Sequence, residues 1–310
     1  MSLEMPVTAL VPWFGSKRNL APAIVEELGS HKAYWSLFCG SAADLFAKEP
    51  CTMETVNDLH GGLINLARVV QDSKLAEQLF AKSYRTMLAK DLFIAATKRL
   101  EKRRKVPNTK PDPDWAYDYL LVSWFGRNGV AGTRSYNNGF CVRYTKNGGH
   151  AAKRWCSAVE SIPAWCERLR QVTVLNEDAF PLLERIEDAP GTAIYLDPPY
   201  LIKGAKYVYD FASEVPVSEA IADGDGEKPC KRNDHVRLAA RARRFRHTRV
   251  VVSYYDHPNL ELLYPGWSMR KINVSKALAH QGSRGKNDAR AVEVLLTNGP
   301  CFGGQEGRLF

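Results

Sequence analysis

The chain has 310 residues, 45% hydrophobic and 25% charged, enough to bury a sizeable core in one large domain or two at about 150 residues each. No apolar run approaches the ~18 residues that span a bilayer, and seven cysteines without paired CxxC spacing speak for a reducing, cytoplasmic compartment rather than a disulfide framework or a structural zinc site. With 43 Lys and Arg against 34 Asp and Glu, the formal charge of +9 favours a polyanionic partner, nucleic acid first, over a basic surface kept only for solubility.

In chain order, Val11–Lys17 places Gly15 and Lys17 just ahead of a helix predicted over about Leu20–Leu28, capped by Ser16 or Asn19. Helix amides and an ammonium together favour a carboxylate or phosphate, although the GxxxxGK spacing of a P-loop is absent. Tyr34–Phe38 reads as a strand and Cys39-Gly40-Ser41-Ala42-Ala43 as a small-residue turn. That turn either lets a cofactor approach the backbone or serves plain helix–strand packing. About 20 residues on, Thr55–Asp58 is a second strand ending in an acid. The spacing suits a carboxylate that takes ribose hydroxyls; capping the helix through Leu63, Leu66 and Val69-Val70 is the other reading.

From Ser73 to about Leu100 the pattern is helical, with Leu75, Leu79, Leu88, Leu92 and Ile94 apolar. Glu101–Lys110 is a basic linker and Asp114–Phe125 an aromatic helix. Gly126–Tyr144 then carries two hairpin signals, Asn128-Gly129 and Asn138-Gly139. Arg127, Arg134 and Arg143 interleave there with asparagines and aromatics, side chains able to read base edges and grip phosphate. An ordinary exposed basic hairpin is the alternative.

Val172–Leu175 is a strand running into Asp178-Ala179-Phe180, where an acid and a ring can take a purine amine and stack on it, unless the acid caps a helix. Ala193–Leu196 is a short buried strand, ended abruptly by Asp197-Pro198-Pro199-Tyr200. Two prolines supply no donors and hold φ fixed, so no ladder continues. The corner presents a carboxylate, the Pro198 carbonyl and a ring, which suits a planar amino-substituted heterocycle: two acceptors for the NH₂ and a face for stacking. A proline-ended surface loop is the competing reading. Ser213–Arg232 is a polar, mobile insertion, Asp234–Arg246 a basic helix and Thr248–Tyr255 a valine-rich buried strand. Trp267–Thr297 reads as strands around the basic loop Gln281–Arg290. Alternating strands and helices make the core α/β with a mainly parallel sheet, whose ligands bind beyond the carboxyl ends of the strands.

Trp13-Phe14-Gly15-Ser16-Lys17, Phe38-Cys39-Gly40, Asn57-Asp58, Phe125–Gly129, Asp178-Ala179-Phe180 and Asp197-Pro198-Pro199-Tyr200 occur in the order that resembles the DPPY-type DNA adenine methyltransferases. That family includes the bacterial Dam enzymes and many phage methylases, and the likeness runs from Pro12 to about Pro300. It implies a Rossmann-like fold with a mostly parallel seven-stranded sheet binding S-adenosylmethionine (AdoMet). The catalytic domain would comprise residues 1–72 and 166–310, a target-recognition region would occupy 73–165, and 213–232 would be a loop.

By resemblance, Lys17 pairs with the methionine carboxylate of AdoMet and Trp13 lines its pocket. Phe38 and Gly40 form the cofactor turn, Asp58 holds the ribose, and Asp178 holds the cofactor's adenine amine. Tyr200 stacks on a flipped target base while Asp197 and Pro198 accept from its amine and Pro199 stiffens the corner; Arg127, Asn128, Arg134, Asn138 and Arg143 face DNA. The expected protein is a monomer that methylates adenine in duplex DNA, with no metal and no covalent intermediate. Methylation of the cytosine amine, or DNA binding without catalysis, are the alternatives. Two positions depart from the family pattern: Ser36-Leu37 stands for Glu-Pro, and Ala42 for a second glycine.

Overall fold

The structure, a computed structural model, describes residues 5–13, 15–103, 110–126, 136, 139–142, 150–201, 209–222, 233–275, 290–303 and 306–308. The described strands are β1 (Ala33–Ser36), β2 (Met53–Asn57), β3 (Val172–Leu175), β4 (Thr192–Leu196), β5 (Arg249–Tyr255), β6 (Ser268–Ser275), β7 (Arg290–Thr297) and β8 (Glu306–Arg308). The first six described helices are α1 (Ala21–Leu28), α2 (Ala43–Ala47), α3 (Gly61–Gln71), α4 (Ser73–Tyr84), α5 (Lys90–Arg103) and α6 (Pro113–Phe125). The others are α7 (Ala151–Glu160), α8 (Ile162–Leu169), α9 (Ala179–Arg185), α10 (Val217–Ala222), α11 (Asp234–Ala242) and α12 (Asn259–Leu263). The chain divides into two units, and among the described residues no helix is long and apolar enough to cross a membrane.

The first unit comprises Met1–Ala21, Cys39–Asp178 and Lys206–Tyr209. Its strands β2 and β3 run parallel, from Glu54↔Val172 to Asn57↔Leu175, so their carboxyl ends stop level. Glu54 is buried and neutralised by Lys48 at 2.5 Å and Arg168 at 2.5 Å, tying β2 to α8. Loss of Glu54 would leave the buried Lys48 ammonium and the Arg168 guanidinium without their carboxylate. Helix α6 is buried on every side from Trp115 to Phe125; Asp112 caps it by accepting from the Trp115 N–H, and Pro113 opens its first turn. The helical stretch from Ser73 is two helices rather than one. At the break the Thr86 hydroxyl takes the Lys82 carbonyl at 2.8 Å and meets Tyr117 Oη at 2.9 Å, a local bond that competes with continuing the helix.

The second unit comprises Pro22–Phe38, Ala179–Ala205 and Asp210–Phe310. Its strands lie in the order β1-β4-β5-β7-β6-β8. β1, β4 and β5 are mutually parallel, β7 is antiparallel to β5 and β6, and β8 is parallel to β6. The architecture is thus mixed α/β and mostly parallel as expected, with the three-residue β8 as an eighth strand. Ala193–Leu196 of β4 is buried throughout, which its unbroken apolar run dictates for a strand covered on both faces. Fully buried Glu27 accepts from Arg249 at 3.2 Å, Arg270 at 3.0 Å and the N–H groups of Phe302 and Gly303, fastening α1 to β5, β6 and the segment after β7. Leu196 pairs with Val252 at the carboxyl end of β4, and Tyr255 pairs with Glu293 at the carboxyl end of β5.

Candidate active site

In the first unit the turn after β1 is built on Gly40, whose φ of +48° lies in the left-handed region. A Cβ there would meet Trp13 Nε1 at 2.9 Å, so the indole closes over the bare backbone. Asp58, at the end of β2, accepts from Gly40 N–H through Oδ2 at 3.0 Å and from His60 N–H through Oδ1 at 2.9 Å. Burial raises the Asp58 pKa, and those two N–H bonds pull it back down. Each carboxylate oxygen carries a second lone pair, so the acid can grip the turn and still accept from another hydroxyl. It does not cap α3. His60 does, its Nδ1 accepting from Leu63 N–H at 3.2 Å, and its ring meets Trp13 edge-on at 5.6 Å between centroids.

Lys17 is buried and donates to the Gly15 carbonyl at 2.9 Å; its own carbonyl accepts from Leu20 and Ala21 at the start of α1. Ser16, one of the two expected caps, bonds Ser41 Oγ at 3.0 Å. Asp178 follows β3 and is exposed. Its loop is clamped to the end of β2 by two asparagines. Asn57 exchanges both hydrogen bonds with the Glu177 backbone at 2.9 Å, and Asn176 donates to the Asp58 carbonyl at 2.7 Å. Cys39 stays a thiol, because burial, Asp58 and Asp44 all push its pKa well up. Trp13, Gly40 and Asp58 are therefore directly joined, with Lys17 and Asp178 in the same unit.

Phe38 lies in the second unit, half-buried and 5.8 Å from Phe211. Phe180 is buried between Phe211 and the Arg237 guanidinium, 4.2 Å above its ring. Asp197, Pro198, Pro199 and Tyr200 leave the carboxyl end of β4, where the register sets Asp197 beside Ser253 of β5. Ser253 Oγ donates to Asp197 Oδ1 at 2.8 Å and lies 3.0 Å from Tyr195 Oη. Tyr200 donates its hydroxyl to Glu293 of β7 at 2.6 Å, and its ring packs edge-on to Tyr255 at 4.6 Å. Burial, with Asp197 and Glu293 nearby, holds the Tyr200 phenol well above its usual pKa, so it remains a donor. The corner can thus present an oriented carboxylate next to a ring fixed at its far end.

An N6 adenine-specific family model, the D12 class of DNA methyltransferases, matches residues 13–217. The chain belongs to that family. Membership makes DNA the substrate and adenine, not cytosine, its methylated base. No curated protein matches the chain.

Among the residues the sequence reading missed, His60 carries no signal beyond its own presence. Ser253 and Glu293 do: each is a single polar residue inside an otherwise apolar strand core, Val250–Tyr254 and Val292–Leu296. Both are buried. Arg127, Asn128, Arg134, Asn138 and Arg143 lie outside the described residues. The ends of their stretch are joined by an antiparallel bridge, Gly126↔Phe140, and Cys141 N–H donates to the Phe125 carbonyl at 2.8 Å.

Proposed function

We propose that this methyltransferase moves the methyl group of AdoMet to the exocyclic amine of an adenine rotated out of duplex DNA. The observation that carries the reading is the Asp197–Tyr200 corner, with its acid oriented by Ser253 and its ring anchored on Glu293. The amine lone pair is delocalised into the purine ring and is a poor nucleophile. Asp197 and the Pro198 carbonyl accept its two N–H bonds, favour a pyramidal nitrogen and accommodate the charge that develops there. Tyr200 offers its ring to the extruded base, offsetting part of the few kcal/mol that unstacking costs. Bound AdoMet supplies the activated methyl group. Trp13, Lys17, Gly40, Asp58 and Asp178 would hold it, with Phe38 at the start of the same turn; the bare Gly40 backbone and the acceptor capacity of Asp58 fit that group. Cys39 stays a thiol and serves no covalent step. Residues 73–165, with the basic stretch from Arg127 to Arg143, would grip phosphate and read the target, and the protein would act as a monomer in the cytoplasm.

Tritium transfer from labelled AdoMet to DNA tests the assignment. Asp197→Ala is expected to lose about a thousandfold in single-turnover rate while still binding both substrates. An Asp197→Ala protein as active as wild type would overturn it. Thermal stabilisation by AdoMet separates an active enzyme from a DNA-binding relative that has lost catalysis.

A further inference from the structure

We propose that Ser253 is a positioning residue for methyl transfer, acting through a two-hydroxyl relay from Tyr195 to Asp197; this rests on the role proposed for Asp197 in methyl transfer. All three residues sit in the second unit, and Ser253 and Tyr195 are both buried. The direction of the relay follows from the proton count. An ionised carboxylate can only accept, so the single Ser253 hydroxyl proton points at Asp197 Oδ1, 2.8 Å away. Ser253 Oγ must then be the acceptor for Tyr195 Oη at 3.0 Å, and the phenol is the donor that starts the chain. A hydroxyl inside Val250–Tyr254 costs desolvation that an alanine would avoid, and the bond to Asp197 is what offsets it.

The relay fixes the plane of the carboxylate. Asp197 follows two strand residues, Tyr195 and Leu196, held in parallel register with Val251 and Val252, so its backbone is already set. What remains is rotation of the carboxylate about its own side-chain bonds, and Oδ1 is pinned by a donor from the adjacent strand. An acceptor for an amine proton must be held within about 10–20° of its working angle, so a freely turning carboxylate is a poor one.

The test is single-turnover methylation by the full chain, with AdoMet and DNA affinities and the melting temperature measured on the same proteins. Ser253→Ala is expected to lower the rate about tenfold to a hundredfold and leave both affinities within about twofold. Ser253→Thr, which keeps the hydroxyl, should recover most of that rate. Tyr195→Phe should cost less, and should add little when combined with Ser253→Ala because both act through one chain. A Ser253→Ala rate equal to wild type overturns the proposal, as does a rate loss matched by equal losses of AdoMet affinity and melting temperature. Asp197→Ala, run alongside, tells the two failures apart. If it methylates normally, the reading of the corner itself is wrong. If it is inactive while Ser253→Ala is normal, only the positioning role falls.

Discussion

Asp58 and Asp197 each end a strand, and they are fixed in opposite ways. Asp58 receives its hydrogen bonds from main-chain N–H groups, those of Gly40 and His60. Asp197 receives its bond from a side chain 56 positions away, and its neighbour Tyr200 leans on an acid 93 positions away. Main-chain donors survive almost any substitution of the residues that carry them, whereas a side-chain partner can be deleted singly. The first aspartate is therefore robust to change around it, and the second can be tuned by change at a distance.

The largest effect that separates the two is Asp58→Ala. It strands two N–H groups of the turn, and hydrogen bonds to a charged acceptor are worth about 1.5–3 kcal/mol each. If Asp58 also holds the ribose, AdoMet affinity should fall about a hundredfold in calorimetric titration, with the single-turnover rate at saturating AdoMet changed far less. An equal loss of rate would erase the distinction between a binding acid and a reacting one.

Glu293 probes the other side. Without its carboxylate the Tyr200 hydroxyl loses its acceptor, and the ring loses the tether that fixes its far end. Glu293→Leu, which keeps the bulk without an acceptor, should slow single-turnover methylation about fivefold to tenfold, and the double variant with Tyr200→Phe should be no worse than the poorer single one, since both remove the same bond. Additive losses would mean that Glu293 acts on something other than Tyr200.

How legible each site was in the sequence follows the same division. Gly40 and Asp58 were readable because they bond each other within one short segment, from the turn after β1 to the end of β2, so residue type and spacing carried the information. The asparagine bonds that clamp the end of β3 span 118 and 120 positions and left no such signal. The Asp197–Tyr200 corner was readable as a corner, from its two prolines. Its supports were not, because which residue falls beside Asp197 depends on the register of β4 with β5, and which faces Tyr255 depends on the pairing of β5 with β7. Buried polar residues in strand cores were the available clue. The break between α4 and α5 escaped for a similar reason: the Tyr117 hydroxyl that joins Thr86 there comes from α6.

Acid should weaken the side of the molecule that holds the corner. His235 is buried, with Nδ1 3.1 Å from Tyr254 Oη, and burial lowers its pKa to about 4. A depressed histidine contributes stability that is present above its unfolded pKa of about 6.5 and is lost as pH falls toward 4. Between pH 7 and pH 5 the loss should be on the order of 1–2 kcal/mol in denaturant titrations, and His235→Gln should flatten it. Asp58 has the reverse sign. Its raised pKa gives a contribution present below about pH 4 and lost as pH rises through the folded value, so Asp58→Asn should steepen the net acid loss.

The smallest change concerns the turn alone. Among the described residues Ala42 is the sole non-glycine with positive φ, at φ 57° and ψ 28°, and it stands where the family pattern carries its second glycine. A Cβ in the left-handed region costs roughly 1–2 kcal/mol, while a glycine gives back about 0.4–1 kcal/mol through the freer unfolded chain. Ala42→Gly should therefore stabilise by about 0.5–1 kcal/mol and raise Tm by roughly 1–2 °C. Gly40→Ala is the mirror experiment, because its Cβ meets both a left-handed φ and the Trp13 indole, and it should lower Tm by more than Ala42→Gly raises it. If AdoMet affinity follows the same ranking, best for Ala42→Gly and worst for Gly40→Ala, the turn's backbone angle limits cofactor binding and the Ser36 departure does not. If melting responds and affinity does not, the turn is strained without consequence for the cofactor. The buried Ser36 hydroxyl, which has no hydrogen-bond partner among the described residues, then becomes the position to restore with Ser36→Glu.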